Sequence, residues 1–245
     1  GVGVHTITYT FTDTNGCSGS ASVSVEVFAV PTITFTAPVD LCVDAGVQPN
    51  LMGGMPTGGS FSGPGVLDNG DGTYDFDPAM AGVGTHTNTY TFTNTNGCGG
   101  TAMDDIEVFA LPNVTLVLTR NEYCLNDPVY VQPVVGNPTG GIFSGPGVSS
   151  AVVNLLFDPA AAGVGLHTIT YTFTDGNGCT NSATALVEVF ALPTVSFAAP
   201  ADLCIDAGVQ MNLSGVTPAP GTVTGDLGSY SGPGVTDNGD GTYDF

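Results

Sequence analysis

The sequence predicts an all-β chain of tandem sandwich repeats, and three observations lead there. Strand-favouring Thr and Val dominate a chain of 245 residues punctuated by 36 Gly and 17 Pro, with no long helix-forming run. Several segments alternate apolar and polar residues with period two. The chain also copies itself: Gly1-Val2-Gly3-Val4-His5-Thr6-Ile7-Thr8-Tyr9-Thr10-Phe11-Thr12 returns at Gly82 and again at Gly163, 81 residues apart each time.

The repeat sets the organisation. Cys17, Cys98 and Cys179 keep the same step, as do Pro31, Pro112 and Pro193 in Phe-Ala-Val-Pro or Phe-Ala-Leu-Pro segments. A Ser-Gly-Pro-Gly-Val block recurs at Ser62, Ser144 and Ser231, lying 31, 32 and 38 residues after the preceding proline. The extra length falls between Asn212 and Ser231, which predicts a surface loop there. Division at the prolines gives residues 1–30 as the C-terminal part of one repeat, 31–111 and 112–192 as whole repeats, and 193–245 as the N-terminal part of a fourth. Such a chain, without an initiating Met or a leader, reads as a stretch of a longer array.

Within each repeat the elements follow in order. Asp68-Asn69-Gly70-Asp71-Gly72-Thr73-Tyr74 carries Asn-Gly and Asp-Gly, strong turn signals. His5, Ile7, Tyr9 and Phe11 alternate with Thr6, Thr8 and Thr10, as in a strand with one solvated face. Val23, Val25 and Val27 alternate with Ser24 and Glu26, and the Asn-Gly-Cys between the two runs makes them an antiparallel hairpin. Short strands at this spacing, closed by a hairpin, predict an immunoglobulin-like β-sandwich of about 81 residues.

Composition narrows function. The formal charge is −21, with one Arg and no Lys. That field repels nucleic-acid phosphates and anionic lipid headgroups, and no apolar run is long enough to span a membrane. Without Lys, no Lys–Asn isopeptide cross-link can form. A hydrophobic content of 42% excludes an acidic disordered tail.

The turn Asp68-Asn69-Gly70-Asp71-Gly72-Thr73-Tyr74, followed by Asp77-Pro78 and the Gly84-Thr85-His86-Thr87 strand, resembles bacterial immunoglobulin-like repeats of giant surface adhesins. The block from Gly163 through His167 to Cys179 is similar to repeats of very large proteins exported by the type IX system of Bacteroidota, gliding adhesins and prey-catching hooks among them. The resemblance covers all four repeats. It implies an extracellular adhesive filament or stalk that projects a distal binding or hooking element and whose partners are neighbouring repeats, other copies of the chain, and a cell-surface or glycan target. Repeats that themselves bind glycans or calcium as a lectin-like surface, or a spacer of a secreted enzyme, are the alternative readings. The second whole repeat departs from it, with Ser149-Ser150-Ala151-Val152-Val153-Asn154 in place of the acidic turn.

Each repeat holds two cysteines, which points to an oxidising compartment. Parity within the repeat pairs Cys42 with Cys98 and Cys124 with Cys179, leaving Cys17 and Cys204 for partners outside the chain. A bond across repeats, such as Cys17–Cys42, and a metal site compete with that pairing. No Cys-x-x-Cys spacing supports the metal.

The remaining candidates favour architecture over chemistry. Asp68, Asp71 and Asp75 offer hard oxygens to calcium, with Asp237, Asp240 and Asp244 equivalent in the last repeat. Their spacing departs from an EF-hand, and hairpin chemistry accounts for them without a cation. His5, His86 and His167 recur at one strand position with no acid or nucleophile beside them, and Tyr9, Tyr90 and Tyr171 read as core or tyrosine-corner residues. No catalytic constellation can be assembled, so no enzyme is expected here.

Overall fold

The computed structural model describes residues 1–133, 135–150, 154–204, 206–217 and 228–245. Strands β1 (Gly3–Thr12) and β2 (Ser18–Val27) form the expected antiparallel hairpin, in a register that sets Gly3 opposite Val27 and Thr12 opposite Ser18. Then follow β3 (Thr34–Phe35), β4 (Leu41–Cys42), β5 (Gln48–Leu51), β6 (Gly54–Met55), β7 (Ser60–Ser62), β8 (Val66–Asp68), β9 (Tyr74–Phe76), a single helical turn α1 (Pro78–Ala81), β10 (Gly84–Thr93) and β11 (Gly99–Phe109). The same series recurs as β12 (Thr115–Leu116), β13 (Glu122–Cys124), β14 (Tyr130–Gln132), β15 (Gly136–Asn137), β16 (Ile142–Ser144), β17 (Val148–Ser150), β18 (Leu155–Phe157), α2 (Pro159–Ala162), β19 (Gly165–Thr174) and β20 (Thr180–Phe190). The last part holds β21 (Ser196–Phe197), β22 (Val216–Thr217), β23 (Thr236–Asp237) and β24 (Tyr243–Asp244).

Each whole repeat is a sandwich of immunoglobulin-like character. One sheet orders β4-β11-β10-β7, and facing it lie the β5-β9-β8 sheet and the β3–β6 pair. The second repeat gives β13-β20-β19-β16 against β14-β18-β17 and β12–β15. Between the layers one core gathers Phe35, Phe61, Tyr74, Phe76, Tyr90, Ile106 and Val108. A second gathers Tyr123, Val135, Phe143, Leu155, Phe157, Ile169, Tyr171, Val187 and Val189. The alternation legible in the sequence is what delivers these side chains: on β19, Ile169 and Tyr171 are buried between outward threonines. On β1 the equivalent Ile7, Tyr9 and Phe11 keep the alternation but stand exposed.

Two local features escaped the sequence. The Asp-Pro before each late hairpin starts a helical turn: the Asp77 carboxylate accepts from the Ala79 and Met80 amides, Pro78 opens the turn, and Gly82 closes it at φ 81°. Asp158, Pro159 and Gly163 repeat the arrangement. The other is that β4 and β13 pair in parallel with the ends of β11 and β20, placing Cys42 beside Phe109 and Cys124 beside Phe190. The insertion expected between Asn212 and Ser231 falls largely on residues 218–227, and the Ser149–Asn154 departure partly on 151–153, outside the described residues.

One core position breaks the copying. Asn88 occupies the strand place of Ile7 and Ile169, is 1% exposed, and finds no hydrogen-bond partner for Nδ2 or Oδ1 among the described residues. A buried amide without partners loses its hydration for nothing in return. We expect Asn88→Ile to raise stability by about 1–3 kcal/mol, read as a higher urea midpoint at unchanged slope. A lowered midpoint would mean that the space beside Gly63 cannot take the larger side chain.

Candidate functional site: the junction between repeats

The cysteines define the one covalent feature between repeats, and they do not pair as parity suggested. Cys42 is bonded to Cys179, 137 residues away with Cα atoms 5.6 Å apart, while Cys17, Cys98, Cys124 and Cys204 are free thiols. The expected Cys42–Cys98 and Cys124–Cys179 bonds are therefore replaced by one bond across two repeats. The reason is axial position. Cys42 sits beside Phe109 at the end of β11, whereas Cys98 immediately precedes Gly99 at its start. An eleven-residue strand separates them. At roughly 3.3 Å per residue that is over 30 Å, far beyond the ~7 Å Cα separation a disulfide allows.

The junction brings opposite ends of consecutive repeats together. The Val43 amide donates to the Phe109 carbonyl, fastening the Cys42 turn to the last residue of β11. Next along the chain comes Ala110-Leu111-Pro112. The hairpin turn of the following repeat folds back onto this linker, where Asn181 Nδ2 donates to the Pro112 carbonyl at 2.9 Å. In that turn Asp175 Oδ1 accepts from the Asn177 and Cys179 amides, and the Asp175 amide donates to the Cys179 carbonyl. Cys179 is fully buried, whereas Cys17, in a turn that Asp13 holds by the same hydrogen bonds, is exposed. Arg120, the only cationic side chain of the sequence, pairs with Asp127 beside the Cys124 turn and lies 4.3 Å over the Tyr123 ring.

The other candidates resolve into architecture. His86 and His167 lie within hydrogen-bond distance, through Nε2, of the Gly82 and Gly163 carbonyls four residues back, and His5 of that of Gly1. Tyr90 and Tyr171 are buried; their hydroxyls accept from the Gly59 and Gly141 amides at 2.8 Å and donate to the carbonyls of Pro56 and Pro138.

The acidic turn is satisfied by its own chain. Asp68 accepts from the Gly70 and Phe61 amides, Asp71 from the Thr73 amide and hydroxyl, and Asp75 from the Asn50 amide and Asn69 Nδ2. The Thr73 hydroxyl and amide hold the Asp71 carboxyl below its ordinary pKa, and Asn69 with the Asn50 amide does so for Asp75. Asp240 and Asp244 are lowered in the same way by Thr242 and by Asn238 with Asn212. Among the described residues no three His, Cys, Asp or Glu side chains converge as a metal site. No helix among them is long and apolar enough to cross a membrane.

No family model matches the chain, and no curated protein matches it. Among solved structures it is similar to a Ca²⁺-stabilised adhesin that helps an Antarctic bacterium reach out and bind ice, at 15% identity over 79% of this chain and 60% of that one, TM-score 0.39. The protocadherin GammaB4 extracellular domain matches at 14% identity over 82% and 41%, TM-score 0.32. Sidekick-1 immunoglobulin domains 1–5 match at 12% over 78% and 46%, TM-score 0.23. This chain spans less than two thirds of the length of each of the three.

Proposed function

We propose that the chain is a load-bearing segment of an extracellular adhesive filament or stalk, each 81-residue repeat being one module and the Ala-Val-Pro and Ala-Leu-Pro segments the joints. The observation that carries this reading is the Cys42–Cys179 bond, which ties the exit end of one repeat to the incoming hairpin of the next. Such a cross-link suits a column under tension, because it limits how far the chain between its two cysteines can extend. It closes a loop through which no force passes while the bond is intact. The six cysteines and the strongly acidic, Lys-free composition suit an oxidising exterior and a soluble, extended polymer. Proline at each joint fixes φ and limits bending. The filament projects a distal binding or hooking element for surface attachment, gliding or prey capture.

Single-molecule pulling on the chain from its two ends tests this. The oxidised chain yields no extension from the residues between Cys42 and Cys179. Reduction releases about 137 residues, roughly 450 Å of contour, in discrete force peaks as each sandwich gives way. A smooth curve after reduction, without peaks, would show repeats too weak to carry load and would remove the proposal.

A further inference from the structure

We propose that the Cys42–Cys179 bond is one rung of an interlocked ladder, in which the early cysteine of every repeat is bonded to the hairpin cysteine of the next. The inference deepens the filament reading and rests on its tandem arrangement. Every cysteine of the chain stands in one of two local frames, and the observed bond joins one of each. In the early frame the cysteine carbonyl accepts from the amide three residues on: Ala45 onto Cys42, Asp127 onto Cys124, Ala207 onto Cys204. Cys42 and Cys124 further share parallel pairing with the last residue of the late hairpin, Phe109 and Phe190, and the following amides of Val43 and Leu125 donate to those same residues.

In the hairpin frame Asp13, Asn94 and Asp175 each accept, through Oδ1, from the amide of Cys17, Cys98 or Cys179, and each donates its own amide to that cysteine's carbonyl. Identical frames at both ends of every repeat present identical thiols to the neighbours. Cys42 with Cys179 is the one such pair whose two members both fall within residues 1–245. Cys124 therefore takes the hairpin cysteine of the repeat that begins at Pro193, and Cys204 takes that of the repeat after it. Cys98 and Cys17 take early cysteines of repeats before Gly1.

The topology of the ladder has a physical consequence. Cys124 lies inside the loop closed by Cys42 and Cys179, so its own bond closes a second loop overlapping the first. Successive loops leave no stretch of backbone outside a cross-link. One proteolytic cut then severs no filament, and tension passes through sulfur along a short path. From Cys179 the strained chain runs only about 25 residues to Cys204 before the next bond, which is ~85 Å fully extended. Two folded repeats, each about one eleven-residue strand long, already span roughly 70 Å. The oxidised array is close to inextensible even if every sandwich unfolds. Each rung forms by two-electron oxidation of two thiols to a disulfide, the electrons and protons passing to a disulfide-exchange oxidant of the exterior.

The experiment is peptide mapping of the native, full-length protein, alkylated without reduction and cut with proteases specific for acidic residues. The expected fragments join Cys42 to Cys179, and Cys124 and Cys98 to cysteines of the adjoining repeats, with neither Cys98 nor Cys124 alkylated. Fragments joining Cys98 to Cys42 or Cys124 to Cys179, alkylated Cys98 or Cys124, or bonds between like cysteines of two copies would each overturn the ladder. Those outcomes leave the pulling behaviour of the reduced repeats, and so the filament reading, to stand or fall separately.

Discussion

Cys42→Ser is expected to cost the chain about 5 kcal/mol of stability, the largest single effect of any side chain outside the cores. The bond closes a loop of 137 residues. In the chain-entropy account a loop of that size restricts the unfolded chain by about 5 kcal/mol, against about 4 for the 55-residue loop that parity within a repeat implied. Because the bond joins two repeats, its loss also uncouples them, and a single unfolding transition is expected to split into two. Urea unfolding followed by circular dichroism measures this. Cys179→Ser and the double substitution Cys42→Ser/Cys179→Ser are expected to show the same loss as the single change, since one bond can be lost only once. Cys98→Ser and Cys124→Ser leave the 245-residue chain within about 0.5 kcal/mol of its starting stability. An effect at Cys98 as large as that at Cys42 would restore pairing within the repeat.

This bond is also where reading the sequence stopped short, for a definite reason. A regular array contains one early and one hairpin cysteine per repeat whether the bonds run within repeats or between them, so counting cannot separate the two. What separates them is the end of the sandwich at which each thiol lies. That depends on the two-residue parallel contact of Leu41–Cys42 with Val108–Phe109, too short to leave a periodic signature. The long hairpins were legible because ten paired residues repeat one alternation, and their register follows from the turn. His86 and Tyr90 were legible as building residues for the same reason. The short helical turns were written in Asp77-Pro78 and Asp158-Pro159, a capping signal that the surrounding strand pattern obscured. Asn88 illustrates the opposite error. Copying suggests that every inward position is apolar, yet this repeat places an unpartnered amide where its neighbour has Ile169.

The second large effect is expected where each sandwich closes on its tyrosine. Tyr171 is 1% exposed, packs on Phe143 with ring centroids 4.6 Å apart, and ties the Gly141 amide to the Pro138 carbonyl through its hydroxyl. Tyr171→Ala removes a filled aromatic volume and is expected to cost about 3–5 kcal/mol. Tyr171→Phe keeps the ring but strands an amide and a carbonyl, for about 1–3 kcal/mol. The glycines around the ring make the argument testable from the other side. A Cβ at Gly136 would lie 2.5 Å from the Tyr171 ring and one at Gly141 2.6 Å, both impossible without displacing it. Gly136→Ala is therefore expected to destabilise by overpacking, about 1–3 kcal/mol, and to cost almost nothing once Tyr171 is already Ala. That non-additivity, measured as a double-mutant cycle in urea, distinguishes a ring slot from a general need for glycine. Equal cost in both backgrounds would locate the constraint in the backbone. The chain itself varies this position: opposite Phe35 stands Gly54, opposite Leu116 stands Gly136, but opposite Phe197 stands Val216. The strand pairing that all three share therefore does not itself require glycine at this place.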